Sequence, residues 1–175
     1  MPLDVDPTTV AGRWWRHLPA GADPVRRPNP PADNRWQRGE VVDALYLADS
    51  EACVWAEWYR HLAEAAIPPS FALPRDLWQY EVTDLEVADL SDPERLARVG
   101  LGLPRPGRRA WPAYQAVGEQ LLGQGWRGLI APSAASPSSL VTAVFLPDAG
   151  ILEHVVPAGS TLVADAPVPP RGMRT

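Results

Sequence analysis

Residues 34–64 constrain the fold most, because a basic turn, an apolar run and an acidic helix follow one another there. Arg35 stands in a polar run that ends in glycine, which is typical of a turn. Residues 41–47 have the density of apolar side chains expected of a buried strand. Ser50, or the aspartate before it, can cap a helix that carries Glu57 in its second turn. The order predicts a turn with an Arg, a strand with a Tyr and a helix with a Glu.

The predicted helix has an apolar face and a polar face. At about 100° per residue, one apolar stripe collects Ala52, Trp55, Ala56, Tyr59, Leu62, Ala63 and Ala66. The other face carries Cys53, Glu57, Arg60, His61 and Glu64. Periodicity alone therefore predicts that Glu57 is a solvated helix residue, paired with His61 four positions later.

Length and composition predict one folded domain. A chain of 175 residues with 46% hydrophobic content and eight Trp can bury a core, although it also contains 21 Pro. We expect residues 1–9 to form a flexible arm, residues 10–156 the domain and residues 157–175 a Pro-rich tail.

Strand-like and helix-like segments both occur within the domain. The pattern predicts strands over residues 12–18, 41–47, 77–90, 128–132, 138–146 and 151–156, and helices that begin after Ser50, Ser91 and Ala110. The strand at 77–90 should be interrupted near Thr83. Residues 19–34 contain too much Pro, Gly and Asp for a helix or a central strand, so we expect a long ordered loop that leads to Arg35.

Charge and cysteine content exclude several classes of ligand. The net charge is −5, and all 16 basic residues are Arg. Nucleic-acid-binding proteins normally carry a basic surplus that neutralises phosphates, so nucleic acid is not expected as the main ligand. One cysteine, Cys53, and three scattered histidines lack the number and spacing that a disulfide or a metal site requires, and we expect no metal. No run approaches the roughly 18 apolar residues of a membrane span, so we expect a cytoplasmic protein.

Ser133 stands at the end of a predicted strand, beside a short polar connection to the next one. A turn serine that bonds its own backbone explains this position without any function. No Gly-x-Ser-x-Gly elbow surrounds Ser133 and no histidine base is paired with it, so a serine hydrolase is not expected. No glycine-rich phosphate loop of the Walker or dinucleotide type is present either.

Four short motifs resemble those of the RES-domain family, which is named for an Arg, a Glu and a Ser. They are, in chain order, Asn34-Arg35-Trp36, Leu45-Tyr46-Leu47, Trp55-Ala56-Glu57 and Ala131-Pro132-Ser133-Ala134. The resemblance extends over residues 13–146. The sequence departs from it at Asn34, where many relatives have Gly, and this predicts a different backbone angle in the turn before Arg35.

The resemblance implies an α+β, ADP-ribosyltransferase-like fold: a single domain with a mixed β-sheet core, flanking helices, and a cleft between two small sheets. Proteins of this family resemble enzymes that bind NAD in the cleft and break its nicotinamide–ribose bond. Carried over residue by residue, the family pattern implies catalytic roles for Glu57, Arg35 and Tyr46. It implies NAD contacts for Arg16, Arg35, Tyr46 and Ser133.

The resemblance also implies a biological setting. RES-domain proteins are typically NAD-degrading toxins of RES–Xre type II toxin–antitoxin systems, so we expect a helix-turn-helix antitoxin of Xre type as partner, with a homodimer inside the complex. The acceptor of the ribosyl group is water or phosphate. Two alternatives stay open, namely ADP-ribosyl transfer to a protein target and a catalytically silent NAD-binding module.

Arg16 and Tyr46, like Glu57 and Ser133, also have simpler explanations. Arg16 can be a surface residue beside an edge strand, and Tyr46 can be a packing residue of a strand that is buried on both faces. His17, next to Arg16, is expected to be a surface or hydrogen-bonded histidine without a catalytic role.

Overall fold

The computed structural model describes residues 2–25, 27–146 and 149–175; Met1, Arg26, Pro147 and Asp148 lie outside the described residues. The strands are β1 Asp6–Pro19, β2 Ala44–Ala48, β3 Arg75–Asp89, β4 Gly128–Pro132, β5 Leu140–Phe145 and β6 Val155–Val163. The α-helices are α1 Glu51–Glu64, α2 Pro93–Arg98 and α3 Trp111–Gly123. Two 3₁₀ helices, Pro69–Ala72 and Ala149–His154, precede β3 and β6.

These strands form one mixed sheet. The order is β1-β2-β5-β4-β3-β6, and an additional pairing of β1 with β3 closes the sheet on itself. β1 and β3 pair antiparallel from Asp6↔Asp89 to Pro19↔Arg75. β3 and β4 are parallel, and the other neighbours are antiparallel. The expected α+β domain with a mixed sheet and flanking helices is confirmed, although the two small sheets are joined into one.

The two long strands bend at the same level. Their register shifts between Val10 and Gly12, and on the opposite strand Asp84 has a positive φ of 44°. An extra residue in one strand of an antiparallel pair bends that strand and increases its twist. The interruption predicted near Thr83 is therefore a bulge inside one continuous strand, and it curves the pair of strands that closes the sheet.

Both ends of the chain differ from the sequence prediction. Residues 6–9 were expected in the flexible arm, but they belong to β1 and pair with residues 86–89 of β3. Residues 151–154 were expected in a strand but lie in a 3₁₀ helix, and β6 continues to Val163, inside the expected tail. The local composition could not show this, because the backbone partners of both segments are in β3, far away in the sequence.

Helix α1 begins where the sequence predicted. The Oγ of Ser50 accepts a hydrogen bond from the backbone N–H of Cys53 at 3.2 Å, which satisfies one of the free donors of the first turn. The buried face is wider than the predicted stripe and rotated from it, because Cys53, Val54 and Trp58 are buried while Ala52 and Ala63 are exposed. The polar face that carries Glu57 is thus covered in part by protein.

Helix α3 packs directly against the turn formed by residues 34–39. Trp36 in this turn is only 1% exposed, and its ring meets Tyr114 of α3 edge-on with 5.0 Å between the ring centroids. The backbones approach so closely that a Cβ on Gly118 would lie 2.2 Å from the carbonyl oxygen of Trp36. Gly118 is therefore required by contact, in the middle of a helix where glycine is otherwise unfavourable.

A side chain of α3 also holds the turn. The Nε2 of Gln115 donates to the carbonyl oxygens of Asn34, at 3.0 Å, and of Gln37, at 3.2 Å. Asn34 is not among the residues with a positive φ, so the turn before Arg35 does not need the glycine that many relatives carry.

A substitution at Gly118 tests the contact between α3 and the turn. Gly118→Ala should lower the free energy of unfolding by roughly 1–3 kcal/mol, because the new methyl group displaces the backbone of Trp36. Gly123→Ala is the matched control in the same helix, since no atom lies within 4 Å of its Cβ position, and stability should be unchanged or slightly higher. Urea unfolding of both variants measures the difference. Equal stability in the two variants would contradict the close packing.

Candidate active site

A cleft of about 420 Å³ opens beside the turn and the edge of the sheet. Arg16 of β1, Arg35 of the turn, Tyr46 of β2 and Glu57 of α1 line it together. Four of the five residues that the resemblance selected thus share one cleft, although they come from four separate elements.

Ser133, the fifth residue, is 1% exposed and lies behind the cleft wall, where the wall is formed by its neighbours Pro132 and Ala134. Its Oγ donates a hydrogen bond to Oε1 of Glu57 at 2.5 Å. The same Oγ accepts from the backbone N–H of Ser136 at 2.9 Å, so the serine also forms the predicted turn contact. In this arrangement Ser133 contacts Glu57.

Glu57 is the central carboxylate of the cleft. Its Oε1 accepts the Ser133 hydrogen bond and a longer one from the N–H of Ala135 at 3.3 Å. Its Oε2 accepts from Nε of Arg60 at 2.7 Å. The predicted pairing with His61 is wrong: the partner on the helix is Arg60, three residues later, and the second partner comes from the β4–β5 loop.

These contacts keep Glu57 ionised. Burial by itself would raise the pKa of Glu57, but the charge of Arg60 and the hydrogen bonds from Ser133, Arg60 and Ala135 lower it further than burial raises it. The pKa therefore lies below its usual value, so the side chain is a carboxylate at neutral pH despite its partly buried position.

Arg60 connects Glu57 to a second carboxylate. Its Nη1 lies 2.5 Å from Oε1 of Glu64, one turn further along α1. The same Oε1 accepts from the backbone N–H of Gly107 at 2.7 Å, in the loop between α2 and α3. Arg60 also lines the cleft, and sequence reasoning did not select it. The sequence feature that could have identified Arg60 is its spacing, because it follows Glu57 by three residues and precedes Glu64 by four on one helical face.

Arg35 is held by the same loop. Its Nη2 donates to the carbonyl oxygen of Arg105 at 2.6 Å, and its guanidinium carbon lies 5.2 Å from the centroid of the Tyr114 ring. The residue is 8% exposed. Nη1 is buried and has no hydrogen-bond partner in the part of the chain that the structure describes. One half of the guanidinium is thus fixed by protein, and the other half has a donor to offer to a ligand.

Tyr46 and Arg16 complete the walls. Tyr46 is half-buried, and burial raises the pKa of its hydroxyl far above the usual value. Its phenol therefore stays protonated. Burial raises the pKa of Tyr80 on β3 and the charge of Arg16 opposes this rise, so the Arg16 guanidinium lies close to β3.

His17 also lines the cleft, next to Arg16. Its Nδ1 lies 2.7 Å from Nη2 of Arg75, and its ring stacks on Trp55 with 6.0 Å between centroids. Burial, together with Arg75 and Arg16, lowers the pKa of His17 to about 3. A guanidinium can only donate, so Nδ1 accepts and the ring proton is on Nε2. His17 is therefore a hydrogen-bonded histidine, which is one of the two alternatives that the sequence predicted.

Cys53 does not supply a nucleophile to the cleft. Burial raises the pKa of Cys53 to about 12, so its thiol is inert at neutral pH. In residues 2–25, 27–146 and 149–175, no group of three or more His, Cys, Asp or Glu is placed to hold a metal ion. No helix in those residues is long and apolar enough to cross a membrane.

Known proteins are similar to this chain in sequence and in fold. The NAD(+) phosphorylase MbcT of Mycobacterium tuberculosis is 32% identical over 111 residues, which cover 62% of this chain and 60% of that protein. The same values hold for MbcT of Mycobacterium bovis. The matched segment thus spans less than two thirds of these relatives.

A crystal structure of the M. tuberculosis MbcT–MbcA toxin–antitoxin complex contains a chain with the same fold, with a TM-score of 0.75 and 22% sequence identity. The superposition covers 90% of this chain and 87% of that chain. The family model described as the RES domain matches residues 13–165, most of the present chain. The chain therefore belongs to the RES-domain family.

Proposed function

We propose that this protein cleaves the bond between nicotinamide and ribose in NAD, with inorganic phosphate or water as the acceptor. The observation that carries the proposal is Glu57, an ionised carboxylate partly buried in a cleft that Arg16 and Arg35 also line. Buried charges cost free energy unless they are paired, so an anionic group held in a cleft is typical of a functional site.

The chemistry of NAD cleavage fits this carboxylate. The nicotinamide ring is cationic in NAD and leaves as a neutral molecule, so departure needs no general acid. Positive charge instead develops on the ribose carbon and ring oxygen as the bond breaks. Glu57 stabilises that charge through space, because an oriented carboxylate in a site shielded from water acts without reorganisation. Ser133 and Arg60 hold both of its oxygens in place.

The cationic groups fit the diphosphate of NAD. Nη1 of Arg35 donates to a phosphate oxygen, since its Nη2 is already bonded to the loop. Arg16 contributes a second positive charge on the same cleft. Tyr46 offers a ring face to the nicotinamide or the ribose. Direct contact between Ser133 and NAD stays a prediction, because its hydroxyl bonds Glu57.

Similarity to MbcT, an NAD(+) phosphorylase, favours phosphate as the acceptor. Phosphate would add through one oxygen to the ribose carbon that loses nicotinamide, and the product would be ADP-ribose 1″-phosphate. Water would add in the same place, lose a proton and leave ADP-ribose. Incubation of the protein with NAD, with and without phosphate, followed by mass spectrometry of the products, distinguishes the two acceptors. Labelling of proteins in a lysate would instead indicate ADP-ribosyl transfer, and release of no nicotinamide would overturn the proposal.

We propose further that the protein is a toxin that depletes cellular NAD in the cytoplasm and is held inactive by an antitoxin. The fold is shared with a chain of the MbcT–MbcA toxin–antitoxin complex. A helix-turn-helix antitoxin of Xre type, and a homodimer within the complex, follow from the family resemblance. Induced expression in a bacterium, with NAD measured over time and with the neighbouring gene present or absent, tests this setting.

Replacement of the carboxylate tests the catalytic role of Glu57. Glu57→Gln keeps the shape but removes the charge, and nicotinamide release should fall by about a hundredfold, on the order of 3 kcal/mol in the barrier. Glu51→Gln, an exposed glutamate at the start of the same helix, is the control and should keep the parent's rate. Normal turnover in a folded Glu57→Gln protein would show that Glu57 has only a structural role.

Substitutions at Arg35 separate binding from chemistry. Arg35→Ala should weaken NAD binding by roughly 2 kcal/mol or more, because a charge-assisted hydrogen bond to phosphate is lost. Arg35→Lys should restore part of this affinity, since the charge returns without the two-sided guanidinium. Calorimetric titration with NAD measures both, and Arg13→Ala, on an exposed pair with Glu81, is the control. Equal affinity in Arg35→Ala and the parent would exclude Arg35 from the site.

Tyr46 is tested by removing first its hydroxyl and then its ring. Tyr46→Phe keeps the ring, so most of the activity should persist if the ring stacks on the ligand. Tyr46→Ala should reduce nicotinamide release at least about tenfold and lower stability by no more than roughly 3 kcal/mol. Melting temperature and turnover at low temperature are measured on both. A Tyr46→Ala protein that melts at a lower temperature but cleaves NAD normally in the cold would show that Tyr46 is a core residue and not a ligand contact.

A further inference from the structure

A single arginine that lines the cleft joins two carboxylates, of which only Glu57 also lines it. The guanidinium of Arg60 contacts Glu57 through Nε at 2.7 Å and Glu64 through Nη1 at 2.5 Å. All three side chains are largely covered, with 12% of the Arg60 side chain, 23% of Glu57 and 10% of Glu64 exposed. Pairs on a solvated helix surface contribute little, but groups removed from water interact more strongly.

We infer that Arg60 and Glu64 are positioning residues that set the orientation and the effective charge of Glu57 in the reaction. The inference rests on the proposed function, because it assigns to two neighbours of Glu57 a part in stabilising the cationic transition state. Neither residue needs to touch NAD for this role. We call the three side chains, Glu57, Arg60 and Glu64, the carboxylate triad.

The charge of the triad explains why the second glutamate matters. Arg60 alone would keep Glu57 ionised but would also cancel its charge, and a neutral pair stabilises a developing cation poorly. With Glu64 sharing the same guanidinium, the three side chains carry a net charge of −1. The triad thus solves two requirements at once: Glu57 stays deprotonated in a partly buried place, and a negative charge remains beside the cleft.

The contacts of Glu64 with the loop between α2 and α3 support the same positioning role. Oε1 of Glu64 accepts from the N–H of Gly107, which fixes Glu64 from the loop between α2 and α3. The same loop accepts the Arg35 hydrogen bond at the carbonyl of Arg105. The loop therefore orients both the group expected to hold the diphosphate and, through Glu64 and Arg60, the carboxylate expected at the ribose.

Other groups lie near Glu57 or Arg60, and these residues are not replaced in the test. Arg35 from the turn and Cys53 from α1 are close enough to interact electrostatically with it. The Ser133 hydroxyl and the Ala135 N–H face it from the β4–β5 loop. His61, on α1, lies near Arg60. A substitution at Arg60 or Glu64 also changes the charge that acts on Arg35 and His61, so the titration of Glu57 itself is followed in the test.

The pH dependence of kcat/KM for nicotinamide release tests the triad, because its acidic limb reports the protonation of Glu57 in the free enzyme. Arg60→Met should move this limb upward by about 1–3 pH units, since only the hydrogen bonds from Ser133 and Ala135 then oppose the effect of burial on the pKa of Glu57. Activity at pH 7 should fall about tenfold or more, chiefly because Glu57 loses its fixed orientation, and the smaller part of the loss that is due to protonation should recover at higher pH. Arg60→Lys restores one charge but not the two-sided contact, so an intermediate shift is expected.

Glu64→Gln should have a different effect. The amide retains the hydrogen bonds of Glu64, but Glu57 is then the only carboxylate paired with Arg60. The acidic limb should therefore not move upward. The plateau of kcat should fall roughly threefold or more, with little change in KM, because the pair has no net negative charge. Arg98→Met, which removes an arginine paired with Asp6 on the surface, is the control and should leave the profile unchanged.

Carboxyl-carbon NMR of labelled Glu side chains follows the protonation of Glu57 without any substrate. A raised Glu57 pKa in Arg60→Met supports the inference even if the parent protein releases no nicotinamide, in which case only the proposed function fails. If the parent is active, and neither the pH limb nor the Glu57 titration moves in Arg60→Met or Arg60→Lys, the triad is structural and the inference is wrong. An unchanged kcat plateau in Glu64→Gln would exclude the role of Glu64.

Discussion

The cleft depends on keeping one carboxylate charged where water is scarce. Burial alone would raise the pKa of Glu57, and three hydrogen bonds together with the charge of Arg60 bring it below its usual value. Two of those bonds come from Ser133 and Ala135, which lie in the β4–β5 loop, so the same contacts join α1 to the end of the sheet. The electrostatic requirement of the site and the packing of helix against sheet are therefore met by the same few atoms.

A second charged group of the cleft, the guanidinium of Arg35, is held by different contacts. Arg35 belongs to a short turn, and the turn has its conformation because α3 packs on Trp36, closely enough to require Gly118. The loop that accepts the Arg35 hydrogen bond also fixes Glu64, and through Arg60 it reaches Glu57. Opposite charges that come from separate elements are thus held at defined positions by one connected set of hydrogen bonds, which is the preorganisation that electrostatic catalysis needs.

Much of the local structure could be predicted because its causes are local. Ser50 caps α1, the helix begun at Trp111 and the strand at residues 128–132 are present, and the break near Thr83 is a bulge. The predictions that were wrong also share a cause, which is contact with distant parts of the chain. Residues 6–9 and β6 are strands because β3 offers them hydrogen bonds along its two edges, and the buried face of α1 is rotated because neighbours cover more of the helix than one stripe.

The sequence by itself determined which residue types were available and in what order. The family resemblance selected Arg16, Arg35, Tyr46 and Glu57, which line one cleft, and Ser133, which is buried behind its wall. Only the tertiary structure decided what each of them contacts. Periodicity paired Glu57 with His61, whereas the folded chain pairs it with Arg60 and with Ser133, 76 residues away. The physical reason is that helical spacing describes neighbours along one helix, while the charge and orientation of a buried carboxylate are set by every group that closes over it, including groups from distant parts of the chain.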